Sequence, residues 1–333
     1  MTLVRERRMQ QGLRLSLPVA PRPMPPAALS PCSASYVDFL SIKDLSDLQK
    51  LAVVGHGSSG TVYKVHHKKN QSFYALKVIF GIRQQPTLEA EILKRVDSPY
   101  VVRCHAVFDN GCSEANIENG SDLSFVMEYM EGGSLHDVLR AHHRLPEDVI
   151  SCLAKRVLEG LNYLHGLHIV HRDIKPSNLL VNESGEVKIA DFGISQVVKG
   201  KFEVSDLQLE MGTCAYMSPE RVDPERWNGE NADGFAADVW SVGVVMLECL
   251  LGHFPFISPG QKPDWATLIC AICFGDSLEM PENASPEFQS FIRRCLEKDW
   301  HKRATVIQLL DHPFVNRNSC GSTRKLVDYV LPR

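Results

Sequence analysis

The densest chemistry in this chain of 333 residues lies in one short run, His171-Arg172-Asp173-Ile174-Lys175-Pro176-Ser177-Asn178. Asp173 supplies a carboxylate that can accept or orient a substrate hydroxyl, Lys175 a cation that can neutralise a migrating phosphoryl group, and Asn178 an amide oxygen that can hold a hard cation. An aspartate with an ordinary pKa of about 3.9 is a weak base. Phosphoryl transfer passes through a loose transition state, however, so positioning outweighs early deprotonation. Downstream, Asp191-Phe192-Gly193 offers a second metal carboxylate, with the packing of Phe192 setting whether Asp191 faces the site. One amide and one carboxylate, completed by phosphate oxygens and water, suit Mg²⁺, which avoids cages made wholly of protein.

A second constellation lies upstream. In Gly55-His56-Gly57-Ser58-Ser59-Gly60-Thr61-Val62 the missing β-carbons let backbone N–H groups approach phosphate oxygens. A dinucleotide fold would need a helix directly after the last glycine, but Thr61-Val62-Tyr63-Lys64-Val65 continues as strand. The loop is therefore expected to be a hairpin tip that folds over ATP, the bland alternative being a structural glycine turn. Lys77, in Tyr74-Ala75-Leu76-Lys77, can reach α- and β-phosphates if a carboxylate steadies it; Glu89 is the natural partner, and Glu91 should point elsewhere. The nucleotide-binding set is expected to comprise Val54, the glycine-rich run through Val62, Ala75 and Lys77.

The elements that must carry these residues follow from residue type. LAVVG, TVYKVHH and SFYALKVIF, rich in β-branched and aromatic residues, predict three antiparallel strands between Leu51 and Phe80. PTLEAEILKRV predicts a helix with Leu88, Ile92 and Val96 on one face, and YVVRCHAVF and LSFVMEYM predict two further strands. Asp109 to Asp122 is expected to be an exposed loop. After Glu131-Gly132-Gly133 the pattern turns helical, in SLHDVLRAH, PEDVISCLAKRVLEGLNYLHGL, FAADVWSVGVVMLECLLG, WATLICAICF, PEFQSFIRRCLEK and VIQLLDHPF. Asp238 is expected to cap its helix and hold the catalytic loop, and Arg303 to be a buried partner for Glu220. The resulting fold class is α+β and bilobal: a small five-stranded antiparallel sheet lobe with one main helix over 48–130, and a larger, mainly helical lobe over 131–315. Pro, Ala and Ser crowd Pro18 to Pro31, so residues 1–47 are expected to be a disordered tail, and 316–333 a flexible one.

Composition sets the outer bounds. A formal net charge of -4 and a pI near 6.4 give no global pull toward nucleic acid or an anionic membrane. The start lacks the apolar core of a signal peptide, and no apolar run approaches the ~18 residues of a membrane span. Ten scattered cysteines, including the lone C-x-x-C of Cys270 and Cys273, are expected to be reduced core thiols in a cytoplasmic or also nuclear protein.

In order and spacing, the glycine-rich loop, strand lysine, helix glutamate, His-Arg-Asp loop, Asp-Phe-Gly and Met217-Ser218-Pro219-Glu220 resemble eukaryotic protein kinases. Lys175-Pro176-Ser177-Asn178 resembles the serine/threonine type. More narrowly, Asp97-Ser98-Pro99-Tyr100-Val101-Val102, the run from Met127 to Leu135 and Gly212-Thr213-Cys214-Ala215-Tyr216 look like MAP kinase kinases, and Pro263-Asp264-Trp265-Ala266-Thr267-Leu268 is similar to their plant branch. The resemblance implies ATP and Mg²⁺ as cofactors, dual-specificity phosphorylation of Thr and Tyr in a MAP kinase activation loop, and an upstream MAP kinase kinase kinase. It also implies a gatekeeper at Met127, with the backbone of Glu128 and Met130 gripping adenine. In the tail, Arg5, Arg7 and Arg8 precede Leu13, Leu15 and Leu17 at alternate positions, which suits an extended peptide docking on an acidic patch beside an apolar groove. MAP kinase docking sequences look like this; the alternative is an accidentally basic tail.

One departure stands out. Plant members are switched on at two Ser/Thr positions ahead of the Gly-Thr that here is Gly212-Thr213, and those positions fall on Glu203 and Leu209. Ser205 is the only hydroxyl between Ser195 and Thr213. Regulation is thus expected at Glu203, Ser205 and Thr213, in one of three ways. Glu203 partly replaces a phosphoserine beside Arg172, Ser205 is the sole regulatory site, or the chain responds weakly and acts by binding. The competing reading of the whole chain is a weakly active kinase-fold scaffold for MAP kinases; a general serine/threonine kinase is third.

Overall fold

The computed structural model describes residues 42–57, 60–82, 88–109, 121–193, 195–197, 214–257, 264–275, 280–316 and 326–329. Strands β1 (Leu48–Gly57), β2 (Gly60–His67), β3 (Phe73–Ile82), β4 (Cys104–Asp109) and β5 (Ser121–Glu128) form an antiparallel sheet ordered β1-β2-β3-β5-β4. Two register shifts in β1, at Lys50/Ala52 and Val53/Gly55, bend the strand just before the glycine-rich tip. Gly60 closes that tip at φ +120°, where an added Cβ would lie 2.4 Å from the Val78 carbonyl, so no side chain fits. Period-two alternation gives the sheet two faces. Val65, Leu76, Val78 and Val126 pack outward with Ile42 and Leu48 in a small core, while Val62, Ala75 and Lys77 face the interlobe cavity.

Helix α1 (Leu88–Arg95) buries Glu89, Ala90, Ile92 and Leu93. Of the expected stripe, Ile92 and Val96 are buried but Leu88 is exposed, and Glu89 is buried in its stead because it turns inward to an ion pair. The strand expected from Tyr100 begins only at Cys104. Val101 instead bridges to Ile189, and the Val102 N–H donates to the Ile189 carbonyl at 2.9 Å. The Tyr163 hydroxyl takes the Asp97 N–H at 2.9 Å, which fastens the α1–β4 connection to the helical lobe.

That lobe contains β6 (Gly133–Ser134), α2 (Leu135–His142), α3 (Glu147–Gly166), β7 (Ile169–Val170), β8 (Leu179–Val181), β9 (Val187–Ile189), β10 (Gln196–Val197), α4 (Pro219–Val222), α5 (Phe235–Leu251), α6 (Trp265–Ile269), α7 (Pro286–Cys295), α8 (Val306–Leu310) and α9 (Pro313–Asn316). Helix α5 is apolar on every side and is buried almost continuously from Ala237 to Cys249, as a central helix must be. Sheets β6-β8-β9 and β10-β7 lie beside the catalytic loop between β7 and β8.

Four details depart from the sequence expectation. Asp238 does not cap α5, because Gly234 holds that position and Asp238 sits in the first turn. The helix expected through WATLICAICF switches to a π-helical turn at Cys270–Phe274. Cys270 is exposed there rather than a core thiol, since the wider turn leaves Ile272 and Cys273 as its inward residues. Within the expected C-terminal tail, Leu326 is buried against the main core, and the Tyr329 ring meets His142 edge-on at 5.2 Å. Among the described residues no helix is long and apolar enough to cross a membrane.

Candidate active site

Between the lobes lies a cavity of about 380 Å³. Val54, Gly55, Val62 and Ala75 form its roof, Met127 to Met130 its rear edge, and Leu180 part of its floor. Glu128 uses its backbone N–H on the Arg103 carbonyl at 2.9 Å, so its carbonyl is the group it can offer a base. At the inner end Lys77 Nζ stands 2.7 Å from Glu89 Oε1 and 2.9 Å from Asp191 Oδ1. Burial lowers the pKa of the ammonium, but Asp191 and Glu89 outweigh it and hold the Lys77 pKa above the ordinary lysine range. Of the two acids, Glu89 is pushed up by burial despite Lys77, whereas Asp191 is held below the usual carboxylate range by Lys77 and the Gly193 N–H despite its burial. Asp191 is therefore the firmly ionised carboxylate. Phe192 is buried edge-on to His171, at 5.1 Å between ring centroids, and this packing goes with an inward Asp191.

The catalytic loop supplies the other half. Asp173 Oδ2 accepts from Lys175 Nζ at 2.9 Å and from Asn178 Nδ2 at 2.8 Å. With its amide nitrogen committed, Asn178 can offer Oδ1 to a cation. Asp238 Oδ1 takes the Arg172 N–H at 2.8 Å, and its Oδ2 takes the His171 N–H and His165 Nε2, each at 2.9 Å. Burial opposes its charge, yet His165, His171 and these N–H donors hold the Asp238 pKa below the usual range. Arg172 and Asp191 both adopt left-handed backbone, at φ 70° and 67°. For such side chains the conformation costs roughly 1–3 kcal/mol and persists only where surrounding bonds enforce it. Beneath the loop, Arg303 grips Glu220 through two bonds of 2.7 and 2.9 Å with both side chains buried.

A model of the protein kinase domain matches residues 48–315. Mitogen-activated protein kinase kinase 10 of Arabidopsis thaliana is 51% identical over 316 residues, spanning 95% of this chain and 99% of that protein. Mitogen-activated protein kinase kinase 9 of the same plant is 47% identical over 326 residues, spanning 96% and 100%. A third relative, mitogen-activated protein kinase kinase 7, is 45% identical over 323 residues. This chain belongs to the MAP kinase kinase family, in its plant branch. It is a protein kinase, and the domain implies ATP and a divalent metal.

In this kinase, the structure brings Lys77 together with Glu89 and Asp191, and Asp173 together with Lys175 and Asn178, while Glu91 is exposed. Val54, Gly55, Val62, Ala75, Met127, Glu128 and Met130 line the cavity. His56 and Thr61 do not line it; they pair across the β1–β2 tip, with Nδ1 and Oγ1 2.9 Å apart. Ser58, Ser59, Glu203, Ser205, Thr213 and the docking residues Arg5, Arg7, Arg8, Leu13, Leu15 and Leu17 lie outside the described residues. Ser134 and Asp137, outside the expected site set, line the cavity beside the hinge and form the reciprocal cap of α2. The S-x-x-D spacing ahead of an apolar run was the available signal. Lys188, paired with Glu128 across the hinge, is also outside the expected set, and no local signal exists for it.

Proposed function

We propose that the chain transfers the γ-phosphate of ATP to Thr and Tyr in the activation loop of a MAP kinase, under control of an upstream MAP kinase kinase kinase. The observation that supports this best is that Lys77, Glu89, Asp191 and Asn178 line one cavity, while the Asn178 amide donates to Asp173, which also pairs with Lys175. Lys77 would bind α- and β-phosphate oxygens, Asp173 would orient the attacking hydroxyl, and Lys175 would meet the charge of the phosphoryl group in transit.

Asn178 Oδ1 and the ionised Asp191 are hard oxygen donors that fit Mg²⁺. Phosphate oxygens and water would complete the shell, since Mg²⁺ is seldom caged by protein alone. When bound, Mg²⁺ would neutralise and orient the phosphate oxygens. The tail residues Arg5 to Leu17 would recruit the MAP kinase, and Glu203, Ser205 and Thr213 would carry regulation. A scaffold would not require both catalytic clusters, so that reading is not favoured.

The test is transfer from Mg-ATP to a catalytically dead MAP kinase after incubation with an upstream kinase. Lys77→Met should lower kcat by about 100-fold or more, and loss of residues 1–17 should raise KM for the MAP kinase with little change in kcat. Binding that survives without any transfer would restore the scaffold.

A further inference from the structure

The backbone leading into Asp173 is held on both sides. The N–H groups of His171 and Arg172 go to Asp238, as described above. Their carbonyls go elsewhere: Ser195 Oγ donates to the His171 carbonyl at 3.0 Å, and Arg221 Nη1 donates to the Arg172 carbonyl at 2.7 Å. These two donors stand at opposite ends of the activation segment, Ser195 just after Asp191-Phe192-Gly193 and Arg221 on α4. Successive peptide units of the catalytic loop are thus pinned by successive ends of the segment that regulates such loops.

Arg221 is not placed there to neutralise a neighbouring acid. Glu220 is committed to Arg303, and Asp173 to Lys175 and Asn178. Burial, and then the nearby Arg172 guanidinium, push the Arg221 pKa down to about 10 against the pull of Asp238, Asp173 and Glu220. The partly buried Arg221 guanidinium spends its 2.7 Å bond on the Arg172 carbonyl. That carbonyl shares its peptide plane with the nitrogen of Asp173, so fixing it fixes where the Asp173 side chain starts. The left-handed φ of Arg172 leaves this plane dependent on outside bonds.

We propose that Arg221 is a positioning residue for phosphoryl transfer, setting the orientation of Asp173 through the Arg172 carbonyl and tying it to the C-terminal end of the activation segment. The inference rests on the catalytic reading of Asp173. The two neighbours on α4 thus differ in role: Glu220 anchors the platform, and Arg221 aligns the loop without needing to touch substrate.

The full-length chain, Arg221→Ala, Arg221→Lys and Glu220→Gln should be compared in steady-state transfer and in hydrogen exchange of the segment 169–179. Arg221→Ala should lose about 10- to 100-fold in kcat, the scale of a small misplacement of a catalytic group, with KM for ATP changed less than about threefold. Ethylguanidine added to Arg221→Ala should restore part of kcat without affecting the unmodified kinase, and Arg221→Lys should retain part of it through its ammonium donor. Exchange in 169–179 should rise in Arg221→Ala and fall back with ethylguanidine. An active unmodified kinase whose Arg221→Ala variant matches it in kcat and loop exchange overturns the positioning role alone. So does a loss that neither lysine nor ethylguanidine repairs and that leaves loop exchange unchanged. No transfer by the unmodified kinase overturns the catalytic reading instead.

Discussion

The acids of this site differ in how firmly they hold their charge because their surroundings differ. Glu89 and Asp191 share one ammonium and each accepts a backbone N–H, but at Glu89 burial and the neighbouring Asp191 charge outweigh Lys77, whereas at Asp191 Lys77, with Gly193 and His171, outweighs burial. Asp238 carries the largest structural consequence, because one buried carboxylate satisfies two N–H groups and an imidazole. Its folded pKa lies below that of an unfolded aspartate, about 3.9, so its contribution to stability is present above that pH and disappears as pH falls through the lowered value. Asp238→Asn should therefore melt well below the unmodified protein at neutral pH, and the gap should narrow below about pH 4. A gap in melting temperature that does not change with pH would contradict this assignment. At this scale the sequence was highly legible, since Lys77, Asp173, Asn178 and Asp191 announce themselves by type and order. It could not say which carboxylate holds its charge more firmly, which depends on burial and donors gathered from distant segments.

Among the elements, α4 depends most on a partner far away in the chain. It is four residues long, too short to persist alone, and Glu220 secures it to Arg303, whose guanidinium also holds the carbonyls of Ala236, Glu297 and Lys298. Removing one member strands a buried charge. Arg303→Ala should cost about 3–5 kcal/mol of unfolding free energy, measured by denaturant titration, and a loss under 1 kcal/mol would mean that the pair is solvated. The pairing of Glu220 with Arg303 was expected from their place in the motif order. The exposure of Leu88 and burial of Glu89 in α1 were not, because periodicity counts Leu88 as apolar and Glu89 as polar, whereas the Lys77 contact reverses them. The π-helical turn after α6 and the burial of Leu326 likewise have no local signature.

Across the whole molecule, the two lobes meet at the hinge and along the α1–β4 connection. Glu128 at the end of β5 pairs with Lys188 of β9 and accepts the Arg103 N–H at 3.2 Å, a bridge across the back of the cavity. Both side chains are partly exposed, so a Glu128→Gln and Lys188→Met cycle should show a coupling of about 1 kcal/mol and shift KM for ATP less than tenfold; additive effects would mean that the bridge carries no interlobe energy. The sequence by itself determined the reaction class, the lobe order and the identity of the reacting groups, because these rest on residue types at fixed short spacings. Only the tertiary structure decided that Asp191 faces Lys77, that Glu128 meets Lys188 and that Arg221 reaches the catalytic loop. Those contacts join residues 114, 60 and 49 positions apart, and their formation depends on how the lobes pack, which no local pattern encodes.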